Sequence, residues 1–154
     1  MKRIDKGVCT AMKRVIVESP YMAQKISLPK PFGFLNIFVN FFYQKWILRR
    51  NLKYARACLR DCLQRGEAPF ASHLLYTQDG VLRDEVPEER KLGMEAGFVW
   101  GECAEKTVVY INLGLSSGMI KGMERAIKAK RLIEYRSLGP PWQTDAVCEI
   151  VQQY

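Results

Sequence analysis

Histidine is almost missing from this chain, which has one, His73, in 154 residues. Cysteine is sparse and poorly arranged: Cys9, Cys58, Cys62, Cys103 and Cys148 are odd in number and form no C-x-x-C pair. That pattern excludes a disulfide framework and the common zinc spacings, and it predicts reduced thiols with no metal and no cofactor. Cys58 and Cys62 share a helical face at i, i+4, but two thiols without a third ligand read better as small buried apolar groups. Long apolar runs are lacking too. The longest, from Phe34 to Leu48, spans 15 residues and contains Asn36, Asn40, Gln44 and Lys45, short of the roughly 20 that a membrane span needs. No G-x-G-x-x-G occurs, and Gly118 is not followed by Lys-Ser or Lys-Thr, so ATP hydrolysis by a P-loop is not expected. Met1 to Arg14 is polar and basic with no cleavage pattern, so a cytoplasmic location is expected, with membrane association left open.

Acid is scarce in the first part of the chain. Residues 1–60 hold 13 Lys and Arg against Asp5 and Glu18, a balance of +11, whereas residues 61–154 hold 11 against 14, a balance of −3. The excess of +8 therefore belongs to the N-terminal part, where it suits nucleic acid, anionic lipid or phosphorylated ligands. A solvated basic face is the plain alternative. The length suits one domain, expected over 1–154.

The pattern of elements is regular. Arg14 to Glu18 reads as a strand, stopped by Pro20. A helix is expected from about Asn51 to Arg65, with Leu52, Ala55, Leu59 and Leu63 at near-helical spacing and Gly66 as its stop. Ala68 to His73 reads as a short strand ending in a polar loop, and residues 79–87 are turn-rich and acidic. A helix follows from Pro87 to about Cys103, because Pro suits a first turn and Glu88 and Glu89 complement the dipole. A strand at 107–111, a Gly/Ser loop, a helix from about Gly118 to Ala129 and a strand at 131–135 complete the series. Such alternation predicts an α/β fold, a flavodoxin-like or Rossmann-like three-layer sandwich with a mainly parallel sheet. Ligands of such sheets sit at the carboxyl ends of the strands, so the loops at 18–21, 72–78 and 112–118 are expected to converge.

The residues that carry a resemblance are Ser19-Pro20-Tyr21, Asn51 with Tyr54-Ala55-Arg56, Pro69 through Gln78, Pro87 through Gly93, and Ser117-Gly118-Met119 with Ala126. Together, over roughly residues 14–138, they resemble a bacterial and phage branch of the nucleoside 2-deoxyribosyltransferase-like superfamily. The resemblance implies a flavodoxin-like fold, usually oligomeric, that cleaves or exchanges the N-glycosidic bond of deoxynucleosides or deoxynucleotides. Glycosidic cleavage passes through an oxocarbenium-like state, so a carboxylate is wanted under the sugar and an acid near the leaving base. The resemblance implies a nucleophilic Glu four residues before Ala126 and a sugar-holding Asp six residues earlier. In this chain those positions are Gly122 and Ser116. Glu124 is no simple substitute, because a two-residue step turns a side chain about 200° around the helix.

What the residues themselves offer is a binding site for a nucleoside, a nucleotide or a related sugar phosphate. Ser116, Ser117, Gly118 and Met119 open a helix after an apolar strand, where backbone N–H groups meet anions; ordinary turn residues are the alternative. His73 is a candidate acid, base or donor, or a strand-end cap. Ser19 and Tyr21 lie in a neighbouring loop, with Tyr21 and Tyr76 able to stack a base or simply to pack. Asn51 caps a helix or reaches the ligand. The candidate carboxylates are Glu18, at the end of the first strand, and Glu89 within the acidic cluster Asp84, Glu85, Glu88, Glu89 and Glu95, where a solvated helix start is the plainer reading.

Residues 22–50 stand outside the resemblance. Pro29 to Gly33 reads as a breaker, and the aromatic run 34–48 as an inserted apolar helix with Asn36, Asn40 and Gln44 on one stripe. An interface in a homo-oligomer, a helix lying on a membrane surface, and a lid over the cleft are its three expected fates, the first being favoured because so much aromatic surface is rarely left in water.

Overall fold

The computed structural model describes residues 12–22 and 33–142. Cys9, Cys148 and the Pro29 to Phe32 part of the expected breaker lie outside the described residues. The chain forms β1 (Lys13–Glu18), α1 (Gly33–Gln64), β2 (Glu67–Phe70), α2 (Ser72–Leu75), α3 (Pro87–Glu102), β3 (Lys106–Tyr110), α4 (Ser117–Lys128) and β4 (Leu132–Arg136). The strands make one sheet in the order β2-β1-β3-β4, and every pairing is parallel. This is the expected α/β fold. Pro69 lies in β2, at the sheet edge, where its missing donor breaks no ladder on the outer side.

Strand alternation distributes the core. Val15, Val17, Val108 and Tyr110 point to one face and bury themselves with Tyr54, Cys58 and Cys62 of α1. Val109 and Ile111 point to the other and pack on Met119 and Met123 of α4. Helices thus cover both faces. Tyr54 and Tyr110 are fully buried, and burial of each such ring stabilises the fold by about 2–3 kcal/mol. Their hydroxyls are satisfied: Tyr54 donates to Asn112 Oδ1 at 2.9 Å, and Tyr110 donates to Asp61 Oδ2 at 2.6 Å. Cys58 and Cys62 are buried in this core, as expected of small apolar side chains.

Two expectations need correction. The helix expected from about Asn51 begins at Gly33, so the 34–48 run and the 51–65 pattern form one helix of 32 residues. No Pro or Gly interrupts residues 34–64, and Arg49 is exposed on the outer side, so nothing breaks the helix between the two patterns. The strand expected over Ala68 to His73 ends at Phe70, and Ser72–Leu75 turns into α2. Tyr76 N donates to Ser72 O at 2.8 Å, closing that turn. His73 therefore sits on a helical turn.

Candidate functional site

Strand order reverses direction between β1 and β3, which run on to β2 at one edge and to β4 at the other. A crevice forms outside the carboxyl ends of strands at such a point. There the structure has a cavity of 570 Å³. Glu18, Ser19, Tyr21, Asn51, His73, Glu89, Ser116, Ser117, Gly118 and Met119 all line it, so the loops expected to converge do so.

Glu18 is placed by strand parity. It follows Ile16 on the face opposite Val15 and Val17, the face covered by α4. Its carboxyl group lies against Gly122 of α4: a β-carbon at Gly122 would stand 2.6 Å from Glu18 Cδ and closer still to Oε1. No side chain fits there while Glu18 holds this position. Burial dominates the carboxyl and pushes its pKa up to about 8, with the Arg131 charge pulling weakly the other way. Arg131 is itself fixed, donating from Nε to Thr107 Oγ1 at 2.8 Å and from Nη1 to Gly101 O at 2.5 Å.

His73 Nε2 and the Ser19 hydroxyl are hydrogen-bonded at 2.9 Å. Burial lowers the imidazole pKa to about 4, so the ring is neutral at physiological pH and is no phosphate-binding cation. The Tyr21 ring stands 6.2 Å from that of His73. Asn51 lies deep inside α1, eighteen residues after its start, so the capping reading fails; its Nδ2 instead donates to Tyr21 O at 2.8 Å and ties the 19–22 loop to the helix. Tyr76 accepts a bond from Trp100 Nε1 at 2.9 Å and edges Phe70, an aromatic packing role at the cavity wall.

Ser116 is the N-cap of α4, its hydroxyl accepting from Met119 N at 3.3 Å. That occupies one acceptor site on the hydroxyl and leaves Ser117 exposed at the mouth of the cavity. Arg90 faces this helix start: its Nη2 lies 3.5 Å from where a Gly118 β-carbon would be, while Nη1 is ion-paired with Asp84. Glu89 is tied down, accepting from Arg83 N at 2.6 Å and Arg83 Nε at 2.9 Å, and these bonds hold its pKa below the usual carboxylate range. Of the two candidate carboxylates, Glu18 is thus inside the cavity with no ion pair among the described residues, whereas Glu89 braces the 79–86 loop. Glu88 and Glu95 are exposed on the outer side of α3.

Sequence reasoning missed Arg90, Arg131 and the spacing of Gly93, Gly97 and Gly101 on α3. A β-carbon at Gly97 would meet Ser72 Cβ at 2.9 Å, and one at Gly101 would meet Arg131 Nη1 at 3.0 Å. Glycines at i, i+4 and i+8 were the available signal for a helix approached closely along one face.

Residues 35–136 match the family model described as "Domain of unknown function (DUF7768)". The chain belongs to this family. No curated protein and no solved structure matches it. The family span takes in residues 35–50 of α1, together with Gly122, the α4 start and the Arg90 helix; β1 and Glu18 precede it. Among the described residues no cluster of side chains suits a metal ion, and no helix is long and apolar enough to cross a membrane.

Proposed function

We propose that the cavity binds a nucleoside, nucleotide or related sugar phosphate and cleaves or exchanges its N-glycosidic bond, with Glu18 as the carboxylate beneath the sugar. One observation carries this reading: the Glu18 carboxyl group occupies the space over Gly122, the position at which the resemblance to nucleoside 2-deoxyribosyltransferase-like proteins calls for a nucleophilic Glu. The carboxylate arrives from the end of β1 instead of from α4. Ionised Glu18 attacks the anomeric carbon or stabilises the oxocarbenium ion, and the base departs with the electrons of the C–N bond and takes up a proton. Water or a second base then releases the sugar. The serines and backbone N–H groups at the α4 start, with Arg90 opposite, suit a sugar or phosphate oxygen. Tyr21 stands beside neutral His73 where a base would stack.

The test is release of free base from a panel of deoxynucleosides, deoxynucleotides and NAD. The expected result is release from at least one, rising with pH through about 8 as Glu18 ionises and lost in Glu18→Gln. No release from any member, with ligand-induced thermal stabilisation retained, removes catalysis and keeps binding. A rate that falls as pH rises through the same range refutes the nucleophile role.

A further inference from the structure

Helix α1 is about 48 Å long, and only its inner side is used by the fold and the cavity. Tyr43, Ile47 and Asn51 face the cavity, and Tyr54, Ala55, Cys58 and Cys62 face the sheet. At 100° per residue the opposite side carries Val39, Phe41, Phe42 and Trp46, which are 40%, 54%, 68% and 58% exposed. Lys45, Arg49, Lys53, Arg56 and Arg60 fall within the same arc and are all exposed. No Asp or Glu occurs between Ser19 and Arg60. The outer face thus has an aromatic end and a basic row continuing from it, with no anion of its own to neutralise either.

We propose that this face of α1 docks the protein on an anionic lipid bilayer, the rings seated at the headgroup level and the basic row on lipid phosphates and carboxylates. Three features favour that occupant. Large rings and an aliphatic side chain left in water at one end of a helix gain by entering the interface, and Trp46 brings a ring with a polar edge suited to that depth. The acid-free basic row complements a surface of negative charge, each cation adding attraction close to the membrane. A second copy meeting the same face in register would instead set row against row of cations. Lys45 over Phe41 and Arg50 over Trp46 hold the rings within the basic field, at 4.3 Å and 5.4 Å from the ring centres. This inference does not rest on the reading of the cavity.

The experiment is sedimentation of the full chain with vesicles of phosphatidylcholine alone and with phosphatidylserine added, with circular dichroism as the control of folding. The chain is expected to pellet with the anionic vesicles and stay in solution with the neutral ones, and added salt is expected to release it. Arg49→Glu with Lys53→Glu is expected to weaken binding roughly a hundredfold, and Phe42→Ser with Trp46→Ser to abolish it, both keeping wild-type helix content. Failure to bind anionic vesicles overturns the proposal, as does unchanged binding by the Phe42→Ser, Trp46→Ser protein. Binding to duplex DNA without binding to vesicles overturns it in favour of a nucleic-acid surface. Dimers by light scattering that dissolve in the same variants, without vesicle binding, overturn it in favour of self-association.

Discussion

Replacing Glu18 with Gln tests the burial of its carboxyl group without knowledge of any substrate. In the unfolded chain the group titrates near 4.5, and in the folded protein near 8. Between those values the folded state holds a proton that the unfolded state has released, so stability falls as pH rises through the window. It is flat below about 4.5 and again above about 8. At about 1.4 kcal/mol for each tenfold change in proton affinity, the whole loss amounts to about 5 kcal/mol. Gln carries no charge at any pH, so the variant lacks this loss and is more stable than wild type above pH 8. His73 acts in the opposite sense: its ring, lowered from 6.5 to about 4, adds stability that is lost as pH falls through that range. The difference between the two proteins at each pH removes the His73 contribution and leaves that of Glu18. Urea unfolding midpoints from pH 4 to 9, at constant ionic strength, give the measurement. Parallel curves for the two proteins refute the buried position of Glu18, and with it the argument from Gly122.

Gly122→Ala puts a methyl group into the space of the Glu18 carboxyl, so it is expected to expel that side chain; the pH dependence of unfolding then flattens as in Glu18→Gln, while α4 gains up to about 1 kcal/mol of helix propensity. Ser117→Phe, at the mouth of the cavity, is expected to abolish nucleotide binding by calorimetry, and unchanged affinity removes Ser117 from the site. Arg136 holds Glu67 in two bonds of 2.7 Å and Lys106 bridges Glu67 and Glu134 at 2.6 Å each, so Glu67→Gln leaves buried Arg136 and half-buried Lys106 short of a partner and costs about 3 kcal/mol or more in thermal or urea unfolding. The same network sets the acid limb: the Arg136 bonds hold Glu67 and Glu134 down to about 2, so their contribution is complete above pH 4.5 and is lost as pH falls from there through about 2, an effect that Arg136→Met diminishes.

The sheet was legible because β1 and β3 are short β-branched runs, closed by Pro20 and by Gly114, and because strand and helix alternate. The convergence of the three loops followed from the rule for parallel sheets, which needs topology and no contacts. What failed were readings that depend on local stop signals. Arg49-Arg50 after an aromatic run resembles a boundary in sequence, yet charged residues on the outer side of a helix do not end it. Asn51 resembles a cap for the same reason, and only the continuous α1 reveals it as the link between helix and the Tyr21 loop. His73 reads in sequence as the end of a strand because nothing local marks a four-residue helical turn. The bracing of Glu89 by Arg83 joins two side chains across a loop whose path no periodicity describes. Arg90 and Arg131 were missed because a single Arg near an element boundary is ordinary in sequence and gains meaning only from what stands opposite.

Gly122 seen alone counts against chemistry, since it removes the one carboxylate that the α4 face would be asked to supply. Three independent facts explain how a carboxyl group nevertheless reaches that space from another element. Even-numbered residues of β1 lie on the sheet face opposite Val15 and Val17, the face that α3 and α4 cover, and Glu18, the last of them, is the one whose carboxyl group meets α4. β1 lies beside β3 in the middle of the sheet, so its end opens at the crevice and not at an edge. The helix residue opposite lacks a β-carbon, and any other residue there would collide with the carboxyl group. Exchanging the two positions, Glu18→Ala with Gly122→Glu, keeps one carboxyl group in the same space while reversing which element carries it. If base release depends on that space being occupied by a carboxylate, the exchanged protein recovers activity that Glu18→Ala alone loses. Equal loss in both would mean that a carboxyl group over α4 is not what base release requires, and would refute the role given to Glu18 there.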